Sequence, residues 1–312
     1  MGIKKVTIAG GGVLGSQIAY QSAFRGFNVT IWLRSEASIA RCEPKLDRLQ
    51  GIYVASLEAA KTDKSKWAPG FGKLEEATDE HIDELKAAAV AARTNLHLTT
   101  DWDEAFSDAD LVIEAVAEDP QQKIAFYEEL QKHLPEKTIV VTNSSTLLPS
   151  TFAEKTGRPE KFLGYHFANN IWIGNTAEIM PHPGTSDDVY QQLVQYSQDI
   201  AMVPIQLHKE QPGYVLNSML VPLLSAAQML WAKDVASPQD IDRVWEIATG
   251  AAHGPFRIID VVGLTTVLNI VKMQVTTDDP NDIHNILIKK IEAMIAEGKT
   301  GINAGEGFYS YK

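Results

Sequence analysis

Three neighbouring stretches decide the fold: Lys5-Val-Thr-Ile-Ala9, then Gly10-Gly-Gly-Val-Leu-Gly15, then Val29-Thr-Ile-Trp-Leu33. The first is a short apolar run rich in β-branched residues, the second a glycine turn that opens a helical pattern lasting to about Arg25. Gly26-Phe-Asn28 breaks that pattern before the third, a second buried strand. Residues 5–33 therefore predict one βαβ unit with parallel strands and a right-handed crossover. Gly10, Gly12 and Gly15 then have separate tasks: a tight turn, close backbone approach to a pyrophosphate, and packing of helix on strand. Gly10, Gly12, Val13, Leu14 and Gly15 are the candidate dinucleotide-binding turn, because the spacing falls between a strand and a helix.

Outward from this unit, residues from about 38 to 94 change to an Ala, Lys, Glu and Asp composition with helical spacing. Trp67-Ala-Pro-Gly-Phe-Gly72 interrupts it, so two helices and a turn are expected. Strands are expected at Leu96–Thr99, Leu111–Ala115, Thr138–Thr142, Phe162–Phe167 and Ala177–Met180, with helices at Asp101–Asp108 and Pro120–His133. Beyond Pro204–His208 only long helical patterns follow: Tyr214–Trp231, Pro238–Thr249, Val262–Met273 and Asn281–Glu297. The expectation is an α/β class: a Rossmann-type doubly wound domain over 1–208 with a helical insertion at about 38–94, then an all-helical domain over 209–312.

Composition narrows the function classes. The chain has 312 residues, 45% of them hydrophobic and 22% charged, which describes a folded protein with room for two domains. With 28 Lys+Arg against 40 Asp+Glu, its net charge of −12 repels phosphate backbones, so no nucleic-acid partner is expected. The single cysteine, Cys42, permits no intramolecular disulfide and fits a reducing cytoplasm. The eight histidines show no H-x-x-x-H pattern, so no metal site is expected. The N-terminus shows no secretory signal, and no run of ~18 apolar residues is evident, so no membrane span is expected.

At the end of the second strand, a site for NAD carries an acidic residue that bonds the ribose 2′-hydroxyl. Leu33-Arg34-Ser35 stands there instead. Leucine cannot accept that bond, whereas Arg34 can pair with a 2′-phosphate and Ser35 can donate to it. The cofactor expected is NADP or NAD, with the tilt toward NADP. Arg34 as a solvated surface arginine is the alternative.

From the glycine turn to the C-terminus the chain resembles the 3-hydroxyacyl-CoA dehydrogenase family. The motifs that carry the resemblance are Gly10–Gly15; Val112-Ile-Glu-Ala-Val-Ala-Glu118 with Lys123; Thr142-Asn-Ser-Ser-Thr-Leu147; Gly164-Tyr-His-Phe-Ala-Asn169; Gln211-Pro-Gly-Tyr-Val-Leu-Asn217; Gly254-Pro-Phe256 with Asp260–Leu264; and Gly305-Glu-Gly-Phe-Tyr309. The resemblance implies a His/Glu catalytic pair, and His166 with Glu178 stands at the family's separation. The chemistry gives an independent reason. Oxidising a secondary alcohol removes a proton from oxygen as hydride leaves carbon, and an imidazole flanked by a carboxylate suits that task. The resemblance further implies that Ser145 and Asn217 address the substrate, with Asn169, and that Glu118 and Lys123 contact the nicotinamide half of the cofactor. Asn143 joins the cofactor candidates; for it and Ser145 a turn or cap role is the alternative.

Two departures bear on the substrate. After Asn169 the family continues with a Pro, a small aliphatic residue and a second Pro, where this chain has Asn170-Ile-Trp-Ile-Gly174, an indole beside the catalytic strand. The insertion, where the family binds the nucleotide part of CoA, offers Lys61, Lys64, Ser65 and Lys66 in an unfamiliar pattern. The leading expectation is oxidoreduction at C3 of a 3-hydroxyacyl-CoA by a homodimer. A dehydrogenase of a free hydroxy acid or sugar acid is the alternative within that chemistry. From another class, a non-catalytic dinucleotide-binding protein is the alternative, against which the Ser145, His166, Glu178 and Asn217 set argues.

Overall fold

Aliphatic and β-branched runs bounded by glycine, proline and polar residues become eight strands. They are β1 (Lys5–Ala9), β2 (Asn28–Trp32), β3 (His97–Thr99), β4 (Leu111–Glu114), β5 (Ile139–Thr142), β6 (Phe162–Phe167), β7 (Thr176–Met180) and β8 (Val203–Gln206). The structure, a computed structural model, describes Gly2–Tyr311. One sheet holds all eight strands in the order β3-β2-β1-β4-β5-β6-β7-β8. Neighbours are parallel except β6 and β7, which run antiparallel. The order reverses between β1 and β4, so the loops after those two strands part there and leave a crevice at the carboxyl edge of the sheet.

Helices α1 (Val13–Phe24), α2 (Glu36–Thr62), α3 (Asp79–Asn95), α4 (Trp102–Phe106), α5 (Pro120–Leu130) and α6 (Asp187–Asp199) cover the two faces. Both faces are buried in hydrophobic clusters, one built on Ile8, Ile31, Ile113 and Val141, the other on Ala9, Val112, Val140 and Phe162. This explains why the central strands carry apolar residues without alternation. Sequence reading did not anticipate α6. Its buried residues Val189, Leu193, Val194 and Tyr196 are spread among aspartates and glutamines, and only the folded helix collects them on one face.

The chain divides into two compact units, Met1–Val215 and Leu216–Lys312. The second is mainly helical: most of α7 (Tyr214–Ala232), then α8 (Pro238–Thr249), α9 (Pro255–Val262), α10 (Leu264–Lys272) and α11 (Ile283–Ala296). The helix expected over Val262–Met273 is α10, and α9 before it was not anticipated; Gly263, at φ +90°, ends α9 and starts α10. Two buried carboxylates organise this unit. Asp242 accepts from Phe256 N (2.8 Å) and Arg257 N (3.0 Å), capping α9 from α8. Asp260 accepts from Phe308 N (2.9 Å), Tyr309 N (3.0 Å) and the Tyr311 hydroxyl (2.9 Å), anchoring the C-terminal segment.

One expectation needs correction. Helix α7, at 19 residues, is long and apolar enough to cross a membrane by length and composition alone. Asn217, Ser218, Ser225 and Gln228 interrupt its apolar run in the sequence, which hid it from a search for continuous hydrophobicity. The core helix of a soluble protein passes the same test.

Candidate active site

The glycine turn lies at the crevice between β1 and β4. Gly10 has φ +123°, and a Cβ there would collide with the Ala115 carbonyl, so only glycine lets the two loops meet. Around Gly12 the space is open: a Cβ would meet nothing within 4 Å. Gly12 is also the N-cap of α1, without a side-chain cap, so the first N–H groups of the helix face an open approach suited to a pyrophosphate. A cavity of about 520 Å³ adjoins this turn, lined among others by Trp32, Leu33, Arg34, Ser38, Arg41, Lys45, Gln122 and Phe126.

These residues fit a dinucleotide. The buried Trp32 Nε1 has no hydrogen-bond partner among the described residues, Phe126 adds an aromatic wall, and Lys45 Nζ reaches the Gly11 carbonyl at 2.7 Å. Arg34 lines the cavity, whereas the Ser35 hydroxyl pairs with Ser38 Oγ at 3.0 Å, next to Arg41. Sequence reading did not pick out Ser38, Arg41 and Lys45. Their signal was available: three and four residues apart, they share one face of a helix that begins just after Ser35.

Behind the turn lies a buried ionic network. Glu114, closing β4 with no solvent exposure, accepts from Lys123 Nζ (2.6 Å), the Tyr127 hydroxyl (2.7 Å), Thr142 Oγ1 (2.7 Å) and Val116 N (2.9 Å). Lys123 also reaches Glu118 at 3.4 Å. Glu118 in turn collects the loop after β5: Ser144 Oγ at 2.5 Å, Ser145 N at 3.1 Å, Thr146 N at 3.3 Å and Thr146 Oγ1 at 3.1 Å. Burial pushes the Glu118 carboxyl up, but the Ser144 hydroxyl, the Lys123 charge and the Thr146 donors outweigh it and hold it below the usual glutamate value.

His166 and Glu178 are cross-strand partners in the antiparallel pairing of β6 and β7, which turns their side chains to the same face of the sheet. Nδ1 of His166 lies 2.9 Å from Glu178 Oε2, and both side chains are buried. An ionised carboxylate only accepts, so Nδ1 carries the proton and Nε2 keeps its lone pair for an incoming hydroxyl. The other oxygen, Oε1, accepts from Val215 N at 2.8 Å. Asn143 accepts from Phe167 N at 3.3 Å, joining the loop after β5 to the residue beside His166. Ser145 is three residues past β5 and His166 two past Gly164, which pairs with the last residue of β5, so both sit at the carboxyl edge. Asn169 is exposed in the loop after β6. Asn217 lies in the first turns of α7, half-buried, within the second unit.

The indole of Trp172 does not open into the cavity beside the glycine turn. It is buried against the Tyr53 ring at 5.5 Å between centroids, and Gly70 N donates to its carbonyl at 2.8 Å, so this segment ties the insertion to the loop after β6. The insertion lysines are largely engaged. Lys61 pairs with Asp83 at 2.6 Å, and Lys64 donates to the Ala77 carbonyl at 2.6 Å. Ser65 and Lys66 lie exposed in the same short turn.

Comparison with known proteins gives the same family along the whole chain. The family model described as "3-hydroxyacyl-CoA dehydrogenase, NAD binding domain" matches residues 5–211, and "3-hydroxyacyl-CoA dehydrogenase, C-terminal domain" matches 213–311. The mitochondrial hydroxyacyl-coenzyme A dehydrogenase of Homo sapiens is 30% identical over 310 residues, covering 99% of this chain and 92% of that protein. The 3-hydroxybutyryl-CoA dehydrogenase of Clostridioides difficile is 29% identical over 309 residues, covering 98% of this chain and 99% of the relative. Among solved structures, a diketoreductase described as acting on dicarbonyl compounds is 42% identical with a TM-score of 0.84, each chain covered in full.

Replacing Glu118 by Gln tests the loop clamp. Glu118→Gln should cost about 1 kcal/mol at neutral pH, a low figure because 40% of the side chain is exposed. A carboxylate with a lowered pKa stabilises the fold above its unfolded value and loses that contribution as pH falls through its folded value. Urea unfolding of both proteins, at neutral pH and in steps down through the carboxylate range, should show the difference closing in acid.

Proposed function

The chain belongs to the 3-hydroxyacyl-CoA dehydrogenase family, and from that premise we propose that His166 is the general base of a 3-hydroxy/3-keto interconversion. The protein is an oxidoreductase that uses a nicotinamide dinucleotide. The His166–Glu178 contact, buried and 2.9 Å long, carries the proposal. In the oxidative direction Nε2 takes the hydroxyl proton, and Glu178 stabilises the imidazolium across Nδ1. In the reverse direction the same nitrogen returns the proton to the keto oxygen. Ser145 donates to that oxygen, and Asn169 borders it. Gly10–Gly15 would hold the pyrophosphate of the dinucleotide and Glu118 with Lys123 its nicotinamide side, where the bound cofactor would supply the hydride acceptor for C3 of the alcohol, or the hydride donor for the ketone. Residues 1–208 bind the dinucleotide, and residues 209–312 pair two copies, in keeping with exposed Val244, Ile247 and Met273 in the second unit.

The substrate we assign first is the acyl-CoA thioester, on which the named dehydrogenase relatives act. Two observations favour a second reading, a compact carbonyl compound or free hydroxy acid without CoA. The 42%-identical structure is a diketoreductase, and Lys61 and Lys64 are already committed to Asp83 and the Ala77 carbonyl. Comparing kcat/KM for 3-hydroxybutyryl-CoA and free 3-hydroxybutyrate decides between them. Contacts to the remote nucleotide add transition-state binding, so the thioester should be favoured by orders of magnitude. Equal or better use of the free acid would establish the second reading.

We further infer that NADP is accepted at least as well as NAD. Leu33 supplies no carboxylate to bond a 2′-hydroxyl or repel a 2′-phosphate, and Arg34, Ser38 and Arg41 line the same cavity. Fluorescence titration should find that Arg34→Ala weakens NADPH by about 1–3 kcal/mol, as for a lost charged hydrogen bond, and leaves NADH nearly unchanged. A wild type that clearly prefers NADH, or a variant with both affinities intact, would leave Arg34 as a surface residue.

A further inference from the structure

Tyr214 holds a backbone conformation that bulky L-residues seldom adopt, with φ at +54°, directly after Gly213 at +80°. Left-handed backbone at an aromatic residue is strained, and such strain persists where the surroundings use it. Here its outcome is specific. The ring is buried and stacks on the His166 imidazole, centroids 4.7 Å apart and planes 22° from parallel. The hydroxyl passes over β6 so closely that a Cβ on Gly164, two residues before His166, would lie 2.5 Å from it. The next residue, Val215, donates its N–H to Glu178 Oε1 at 2.8 Å. One turn thus delivers an aromatic face to the imidazole and a donor to the carboxylate that orients it. Burial, then the carboxylates of Glu178, Glu118, Glu114 and Glu210, raise the Tyr214 hydroxyl far above its usual range, so it stays protonated and does not compete as a base.

We propose that Tyr214 is a positioning residue for the reaction: its ring fixes the plane of the His166 imidazole while the turn it forms fixes Glu178, so that Nε2 is held ready for the alcohol. The proposal rests on the reading of His166 as the base. Only the ring face and the turn are invoked, so Tyr214→Phe preserves the effect. Tyr214→Gly and Tyr214→Asn tolerate the left-handed backbone but remove the ring.

Steady-state kinetics, NADH titration, thermal unfolding and NMR of histidine-labelled protein, with His166→Ala as reference, test it. In wild type and Tyr214→Phe the His166 ring C–H resonances should be shifted upfield by the stacked ring, and kcat should agree within about threefold. In Tyr214→Gly and Tyr214→Asn the upfield shift should vanish and kcat fall by about 10- to 100-fold, the range for a slightly misplaced catalytic group. NADH affinity should hold in both, and the melting temperature should fall because a buried ring is lost, with both variants still folded at the assay temperature. Wild-type kcat in Tyr214→Gly, a Phe variant as impaired as the Gly variant, or unfolding of both the Gly and Asn variants would overturn the proposal. If His166→Ala keeps full activity, the reading of the base fails first and separately.

Discussion

A carboxylate without solvent must be compensated where it stands, and Glu114 imposes that condition on the centre of this protein. Its compensation comes from three directions: Lys123 and Tyr127 on α5, Thr142 at the end of β5, and the backbone of Val116. Meeting all of them fixes where α5 starts and how the segment after β4 runs. That segment supplies Ala115–Ala117, one wall of the cavity beside the glycine turn, and Glu118, which gathers the Ser144–Thr146 loop. Removing one partner would leave a buried charge exposed to a low-dielectric interior, which is why the network behaves as a unit.

The chemistry follows from where the sheet ends. Parallel strands bring the glycine turn, Glu118 and Ser145 to one carboxyl edge, as open α/β sheets do. A parallel neighbour of β6 would need a long crossover before it could present a carboxylate opposite His166. The antiparallel β7 does so after a short connection, and its register sets Glu178 directly across from the histidine. The family's separation of twelve residues is therefore a consequence of this strand pairing.

Much of this was legible in the sequence because the signals are local. The βαβ unit and glycine turn at residues 5–33 and the strands β1–β7 needed only composition and spacing, and the His166–Glu178 pair needed the resemblance as well; β8 was not anticipated. Where sequence reading fell short, tertiary partners supply the reason. Helix α6 has too polar a composition to announce itself, and α9 is capped by Asp242 from another helix. Trp172 belongs to the packing between the insertion and the sheet, which no spacing reveals. Arg41 and Lys45 face the cavity only because α2 begins immediately after β2. Tyr214 was quoted within a motif, yet its function depends on a positive φ that sequence does not display.

The dependence of proton transfer on the His166–Glu178 pair is tested most directly by a double-mutant cycle. Turnover and NADH affinity are measured for wild type, His166→Ala, Glu178→Gln and the double variant. If Glu178 acts through His166, each single change lowers kcat by about 100-fold or more, the double variant is no slower than His166→Ala alone, and NADH affinity is unchanged. Wild-type turnover in His166→Ala, or losses that simply multiply in the double variant, would contradict it.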